Sequence, residues 1–216
     1  MKNIETFSWE KFYEAPIIGI VRGMAPSLLT DITRVYSQSG LTTLEITMNS
    51  PSAAEMIHLL RQTFPDLNIG AGTVCTMEDL DIAIDSGAQF IVTPIVDKAV
   101  IQQCVALKIP VFAGAFTPTE IHLAWSAGAS AVKVFPATQL GTTYIRDILA
   151  PLNQIKLLPT GGVDASNIRS FFAAGAIGVG MGSSLFDKKL IEMEDLVGLE
   201  RHFRHIRSEA LYNQIQ

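Results

Sequence analysis

"SAVKVFPA" (Ser130–Ala137) reads as a short strand with apolar residues pointing both ways. A strand apolar on both faces belongs to a parallel sheet covered by helices. Lys133 breaks that pattern from the middle of the run. Lysine is almost never fully buried unless paired, and burial disfavours its charged form.

Seven further apolar runs share the same character: "PIIGIVR" (16–22), "TTLEITM" (42–48), "NIGAGT" (68–73), "QFIVTP" (89–94), "PVFAGAF" (110–116), "IKLLPT" (155–160) and "AIGVGMG" (176–182). Between the runs lie stretches such as "APSLLTDITRVYSQSG" and "SPSAAEMIHLLRQTF", with Ser, Thr, Asp or Pro at their starts and apolar residues at helical spacing. Small-residue stops follow several of them: "SG" at 39–40, "SGA" at 86–88, "AGA" at 127–129 and "AGA" at 174–176. Glycine just past a helix supplies the left-handed turn that ends it. Eight strand–helix units in 216 residues predict a closed (β/α)8 barrel, a TIM barrel at the small end of its size range. An open doubly wound sheet is the alternative. One domain spans residues 1–216, with no linker or low-complexity segment. Residues 1–14, "MKNIETFSWEKFYE", fit none of the units, and Phe7, Trp9, Phe12 and Tyr13 suit a short helix capping the bottom of the barrel.

Hydrophobic residues make up 48% of the chain and charged ones 17%, ample for a sizeable core. The net charge of −5 argues against a nucleic-acid surface. The basic run "RHFRHIR" (201–207) reads as the solvated side of a last amphipathic helix whose buried stripe holds Leu199, Phe203 and Ile206. Cys75 and Cys104 sit in dissimilar contexts, so a disulfide framework is not expected and the cytoplasm is the natural compartment. His58, His122, His202 and His205 form no metal-binding pattern, and no metal or cofactor is implied. The longest uncharged run, 170–186, is too short and too rich in glycine for a membrane span, and the start of the chain does not read as a signal peptide.

In such a barrel the chemistry sits at the C-terminal ends of the strands. The polar residues there are Arg22, Glu45, Thr47, Thr73, Thr93, Lys133 and Thr160. Alternate strand residues share a face, so Glu45 goes with Thr47 and Lys133 with Phe135. Val132 and Val134 must face the helices, which turns Lys133 inward. A desolvated neutral amine can attack a ketone and form a Schiff base, and Glu45 can move the protons this needs. An interior Glu45–Lys133 ion pair is the competing reading, and it leaves the lysine pKa open. Two glycine-rich turns, "PTGGVD" (159–164), opening a helix, and "GMGSSLF" (180–186), follow the last two strands, the usual phosphate site of this fold. Ser183 or Ser184 adds a hydroxyl there. Thr73 either holds a substrate carboxylate or carbonyl, or caps the helix beginning "CTMEDL". Arg22 suits a bidentate grip on a carboxylate or an ordinary rim salt bridge.

The segments "TLEITMNSP" (43–51), "IGAGTV" (69–74), "FIVTP" (90–94), "AVKVFPA" (131–137), "PTGGV" (159–163) and "GMGSSL" (180–185) together resemble the class I 2-keto-3-deoxy-6-phosphogluconate (KDPG) aldolases and their phosphogalactonate and 4-hydroxy-2-oxoglutarate (KHG) relatives. The resemblance implies a homotrimeric (β/α)8 barrel without a metal, which splits a small phosphorylated keto acid into pyruvate and D-glyceraldehyde 3-phosphate. It makes Lys133 the Schiff-base lysine and Glu45 the acid–base. Thr73 and Pro94 would border the pyruvate end, and Phe135 would pack on the bound carbon chain. Thr160, Gly161, Gly162, Gly182 and Ser183 would line the substrate tail and its phosphate, with Ser184 beside them. Asn49 stands where the gluconate type has an arginine. Together with the pair Arg22–Gly23 it is more similar to the galactonate type, so the carboxylate grip would fall to Arg22. The rival readings are a KHG aldolase giving pyruvate and glyoxylate, a phosphate-binding barrel isomerase or synthase without an imine, and a non-catalytic binder of phosphorylated acids.

Overall fold

The computed structural model describes residues 6–212. Eight parallel strands stand side by side in chain order: β1 (Ile17–Val21), β2 (Thr43–Thr47), β3 (Asn68–Gly72), β4 (Ile91–Val92), β5 (Val111–Ala115), β6 (Ala131–Val134), β7 (Leu157–Pro159) and β8 (Val179–Met181). β8 pairs back onto β1, and a parallel bridge between Thr160 and Gly180 closes the ring beside β7. The expected (β/α)8 barrel is therefore present, and the open sheet is not. Helices α1 (Trp9–Glu14), α2 (Pro26–Gln38), α3 (Ala53–Thr63), α4 (Met77–Asp85), α5 (Lys98–Ala106), α6 (Pro118–Ser126), α7 (Gly141–Leu149), α8 (Ile168–Ala173), α9 (Lys188–Glu192) and α10 (Leu196–Leu211) complete the units.

The strands carry two apolar faces, as their sequences require. Ile17, Val21, Leu44, Ile46, Val132 and Val134 pack outward against the helices, while Ile18, Phe90, Val92, Phe112, Ala131 and Leu158 fill the barrel floor. Gly40, Gly87, Gly128 and Gly175 all take positive φ just after α2, α4, α6 and α8, which ends those helices as their sequences predict.

The bottom of the barrel is plugged by the N-terminal segment. Ser8 and Asn68 exchange two hydrogen bonds, Ser8 N–H to Asn68 Oδ1 (2.8 Å) and Asn68 Nδ2 to the Ser8 carbonyl (2.9 Å). The anchored segment then lays Phe7, just before α1, onto the rings of Phe90 and Phe112, and α1 delivers the fully buried Phe12 onto Phe112. Residues 1–5 of the expected cap lie outside the described residues.

Three features differ from the sequence reading. β4 is regular only over two residues, although ladder bonds run on either side of it, from Gln89 N–H to Ile69 O (2.8 Å) and from Thr93 N–H to Phe112 O (3.1 Å). The helix expected at "PTGGVD" starts only at Ile168, because Asn167 first folds back to accept from Asp164 N–H (3.0 Å). The basic run on α10 is not purely solvated. Leu199, Phe203 and Ile206 are buried as expected, but His202 and Arg207 reach backbone carbonyls at Ser184 and Gly40. No helix among the described residues is long and apolar enough to cross a membrane.

Phe12→Ala is expected to lower the unfolding free energy by about 3–5 kcal/mol, since it empties a fully buried aromatic site, while kcat changes little. Urea unfolding and steady-state kinetics on the same samples check both.

Candidate active site

Lys133 and Glu45 both face into the barrel. Lys133 follows the interior residue Ala131 by two positions and is 5% exposed, and Glu45 is 1% exposed. In the ladder Lys133 stands between Gly114 and Leu158, and Glu45 between Ile20 and Gly70. Glycines keep this level of the barrel open. A Cβ on Gly72 would run into the Glu45 carboxylate, and one on Gly114 into the Pro94 carbonyl.

Burial dominates the electrostatics of both groups. It pulls the Lys133 ammonium below the ordinary lysine value; Glu45 opposes this, and the positive charge of Arg22 reinforces it. Burial likewise pushes the Glu45 carboxyl up, with Lys133 and Arg22 drawing it partly back. Both shifts run from the charged form toward the neutral one. The interior ion pair considered from sequence does not form among the described residues, and Glu45 Oε1 is buried without a hydrogen-bond partner. An unsatisfied buried oxygen is costly unless something visits it. The Phe135 ring centre lies 5.0 Å from Lys133 Nζ and forms the apolar wall beside the amine.

Arg22 emerges just after β1 at the mouth. Its loop is tied down by Ser50, a hydroxyl that the sequence reading did not single out: Gly23 N–H donates to Ser50 Oγ (2.9 Å), which also bonds Thr47 Oγ1 (2.9 Å). Thr73 is held at φ 57, a left-handed conformation costly for a β-branched residue, about 1–3 kcal/mol. The capping alternative for Thr73 falls away, because Thr76 caps α4 in a reciprocal box with Asp79. Pro94 sits half-buried after β4, whereas the preceding Thr93 spends its hydroxyl on Ile95 O and Gly114 N–H. Asn49 is exposed on the turn after β2 and, like Lys133, Glu45, Thr73 and Pro94, is not among the residues that line the cavity at the mouth. Cys75, by contrast, is near enough to Lys133 to feel its charge.

A cavity of about 600 Å³ opens from Arg22 and Phe135 to the two glycine turns, with Thr160, Gly161, Gly162, Gly182, Ser183 and Ser184 on its wall. Gly161 and Gly162 both take positive φ, which only glycine adopts freely. The N–H groups of Gly162, Ser183 and Ser184 donate to no group among the described residues, while that of Gly161 faces the bridge to Gly180. Three unspent N–H donors on glycine-rich turns make an anion cradle. Ser184 donates its hydroxyl proton to Val163 O (2.6 Å), so Ser183, exposed and unbonded, is the available hydroxyl. Lys188, paired with Glu192 at 3.4 Å, also lines this end and had no sequence signal beyond its charge.

The family model described as "KDPG and KHG aldolase" matches residues 9–202. The 2-dehydro-3-deoxy-phosphogluconate aldolase of Haemophilus influenzae is 35% identical over 198 residues, covering 91% of this chain and 93% of its own. The 2-dehydro-3-deoxy-6-phosphogalactonate aldolase of Escherichia coli K12 is 35% identical over 173 residues, 79% and 84% of the two chains. Among solved structures, the KDPG aldolase of Legionella pneumophila, with pyruvate captured as a covalent carbinolamine, superposes with a TM-score of 0.84 at 25% identity, covering 91% of this chain and 96% of that one.

Gly72→Ala is expected to displace the flexible end of Glu45 with little harm to the fold. The aldol cleavage expected from the sequence should lose about a hundredfold or more in kcat, the scale of a misplaced acid–base group, while the melting temperature stays close to that of the parent. Steady-state turnover with a parallel thermal melt tests this.

Proposed function

The chain belongs to the KDPG and KHG aldolase family, and from that premise we propose that Lys133 and Glu45 carry a class I aldol cleavage. The substrate is 2-keto-3-deoxy-6-phosphogluconate or its galactonate epimer, and the products are pyruvate and D-glyceraldehyde 3-phosphate. The observation that carries this reading is a buried lysine driven toward its neutral form, beside a buried carboxyl whose free oxygen has no partner.

The neutral Lys133 amine attacks the C2 carbonyl, and Glu45 relays the amine proton to the oxygen, giving a carbinolamine. Glu45 then protonates the hydroxyl, water leaves, and a protonated imine remains opposite the Glu45 carboxylate. That carboxylate takes the C4 hydroxyl proton as the C3–C4 bond breaks. The bonding electrons flow to the iminium nitrogen, leaving an enamine and releasing the aldehyde. Glu45 returns the proton to C3, and water hydrolyses the pyruvyl imine to restore the amine. One carboxyl thus serves each proton transfer in turn. No metal or cofactor enters any step.

Arg22 is read as the grip on the C1 carboxylate, with Asn49, Thr73 and Pro94 bordering that end and Phe135 against the carbon chain. Thr160 and the backbone N–H groups of both glycine turns, with Gly182 and the Ser183 hydroxyl, receive the phosphate; the unspent donors along the cavity wall support this. The working unit is read as one barrel domain in a cytoplasmic homotrimer. Exposed Ile95, Val105, Leu107 and Phe116 on the β4 and β5 units support self-association, and the free thiols of Cys75 and Cys104 suit a reducing compartment.

Borohydride added with pyruvate should attach a reduced pyruvyl group to Lys133, located by peptide mass, and Lys133→Ala should take up none. Turnover without a trappable imine would identify the isomerase or synthase reading instead. Comparison of kcat/KM for the gluconate, galactonate and KHG substrates, with pyruvate release as the readout, should favour a phosphorylated substrate over KHG.

A further inference from the structure

We propose that His202 is a positioning residue for the phosphate cradle, acting from α10 through the backbone of the second glycine turn. The inference rests on the reading of that cavity end as a phosphate site.

A cradle built from backbone needs more than N–H groups. Each peptide also carries a carbonyl, and a carbonyl oxygen facing a phosphate dianion repels it. The two turns deal with this by tying carbonyls back to side chains. Gly162 O accepts from Asn167 Nδ2 (2.8 Å), Val163 O accepts from Ser184 Oγ (2.6 Å), and Ser184 O accepts from His202 Nε2 (2.9 Å). The N–H groups of Gly162, Ser183 and Ser184 keep no such partner among the described residues. Side chains thus hold three of the acceptors, and backbone N–H groups of Leu185 and Phe186 hold a fourth at Gly182, while these donors remain for an anion.

His202 stands at the end of this chain of contacts. Its bond fixes the Ser184 carbonyl, and the Ser184 hydroxyl in turn holds the first glycine turn, so one imidazole joins the two halves of the cradle. A carbonyl accepts, so Nε2 carries the proton. His202 is half-buried over Ser184 on an otherwise solvated stretch of α10, next to the fully buried Phe203. It does not line the cavity itself. Its effect should therefore be confined to substrates that bring a phosphate.

The test compares wild type, His202→Ala and His202→Gln on a phosphorylated substrate and on 4-hydroxy-2-oxoglutarate, which carries no phosphate. Gln can place an amide N–H near the position of Nε2. His202→Ala is expected to lower kcat/KM for the phosphorylated substrate about fivefold, the scale of one lost neutral hydrogen bond. Most of that loss should appear in KM, and KHG cleavage should be unchanged. His202→Gln should recover most of the loss. Equal losses on both substrates, or a lower melting temperature that accounts for them, would reduce His202 to a structural residue and overturn the proposal, as would no loss on either. If wild type shows no preference for the phosphorylated substrate, the phosphate reading fails, and this inference fails with it. A wild-type preference left undiminished in His202→Ala overturns the inference alone.

Discussion

The cost of keeping a charge at Lys133 is the constraint on which the site depends. The amine is enclosed by the barrel wall, with glycine on one side, leucine on the other and a phenylalanine ring at 5.0 Å. Desolvation there outweighs the pull of Glu45 and leaves the lysine more readily neutral than in water. The same burial keeps Glu45 more readily protonated. A direct ion pair would reverse both effects, and the structure does not form one. In the proposed cleavage the gap between the two groups is where a carbonyl carbon would meet the amine while its oxygen meets the acid.

The rest of the barrel sustains that gap. Below it, Phe7 and Phe12 complete an aromatic floor with Phe90 and Phe112, which keeps water from entering from the bottom. At its own level, Gly72 leaves room for the Glu45 carboxylate, and Gly114, beside Lys133, lets the Pro94 backbone approach. Above it, Arg22 supplies positive charge to both groups on a loop held by Ser50 and Thr47. The seam that closes the barrel, Thr160 against Gly180, lies where both glycine turns begin. Ring closure and the proposed phosphate cradle thus share one piece of backbone, braced by Asn167 and by α10.

Much of this was legible in the sequence, for reasons that differ from residue to residue. Eight doubly apolar runs separated by capped helical stretches leave few folds besides a parallel barrel, and the glycines at 40, 87, 128 and 175 end helices where local sterics demand it. Lys133 was legible because Val132 and Val134 claim the outward face. Other features depend on what a face meets, which periodicity does not encode. His202 reads as one of several basic residues on a solvated helix until α10 is seen to lie against the second glycine turn. Ser50 looks like turn chemistry until its hydroxyl is seen to hold the Arg22 loop. Thr73 read equally well as a helix cap, and only the Thr76–Asp79 box and its own left-handed backbone separate the two.

The central claim is that burial, rather than an ion pair, sets the state of Lys133. It is tested most directly by following the Lys133 side-chain nitrogen by NMR as pH is varied in isotopically labelled protein, with its signal assigned by its loss in Lys133→Ala. The amine is predicted to titrate below the ordinary lysine value, and to move lower still in Glu45→Gln, where the larger of the two attractions holding the proton, that of Glu45 over Cys75, is removed. Titration at or above the ordinary value, or a rise in Glu45→Gln, would contradict the account.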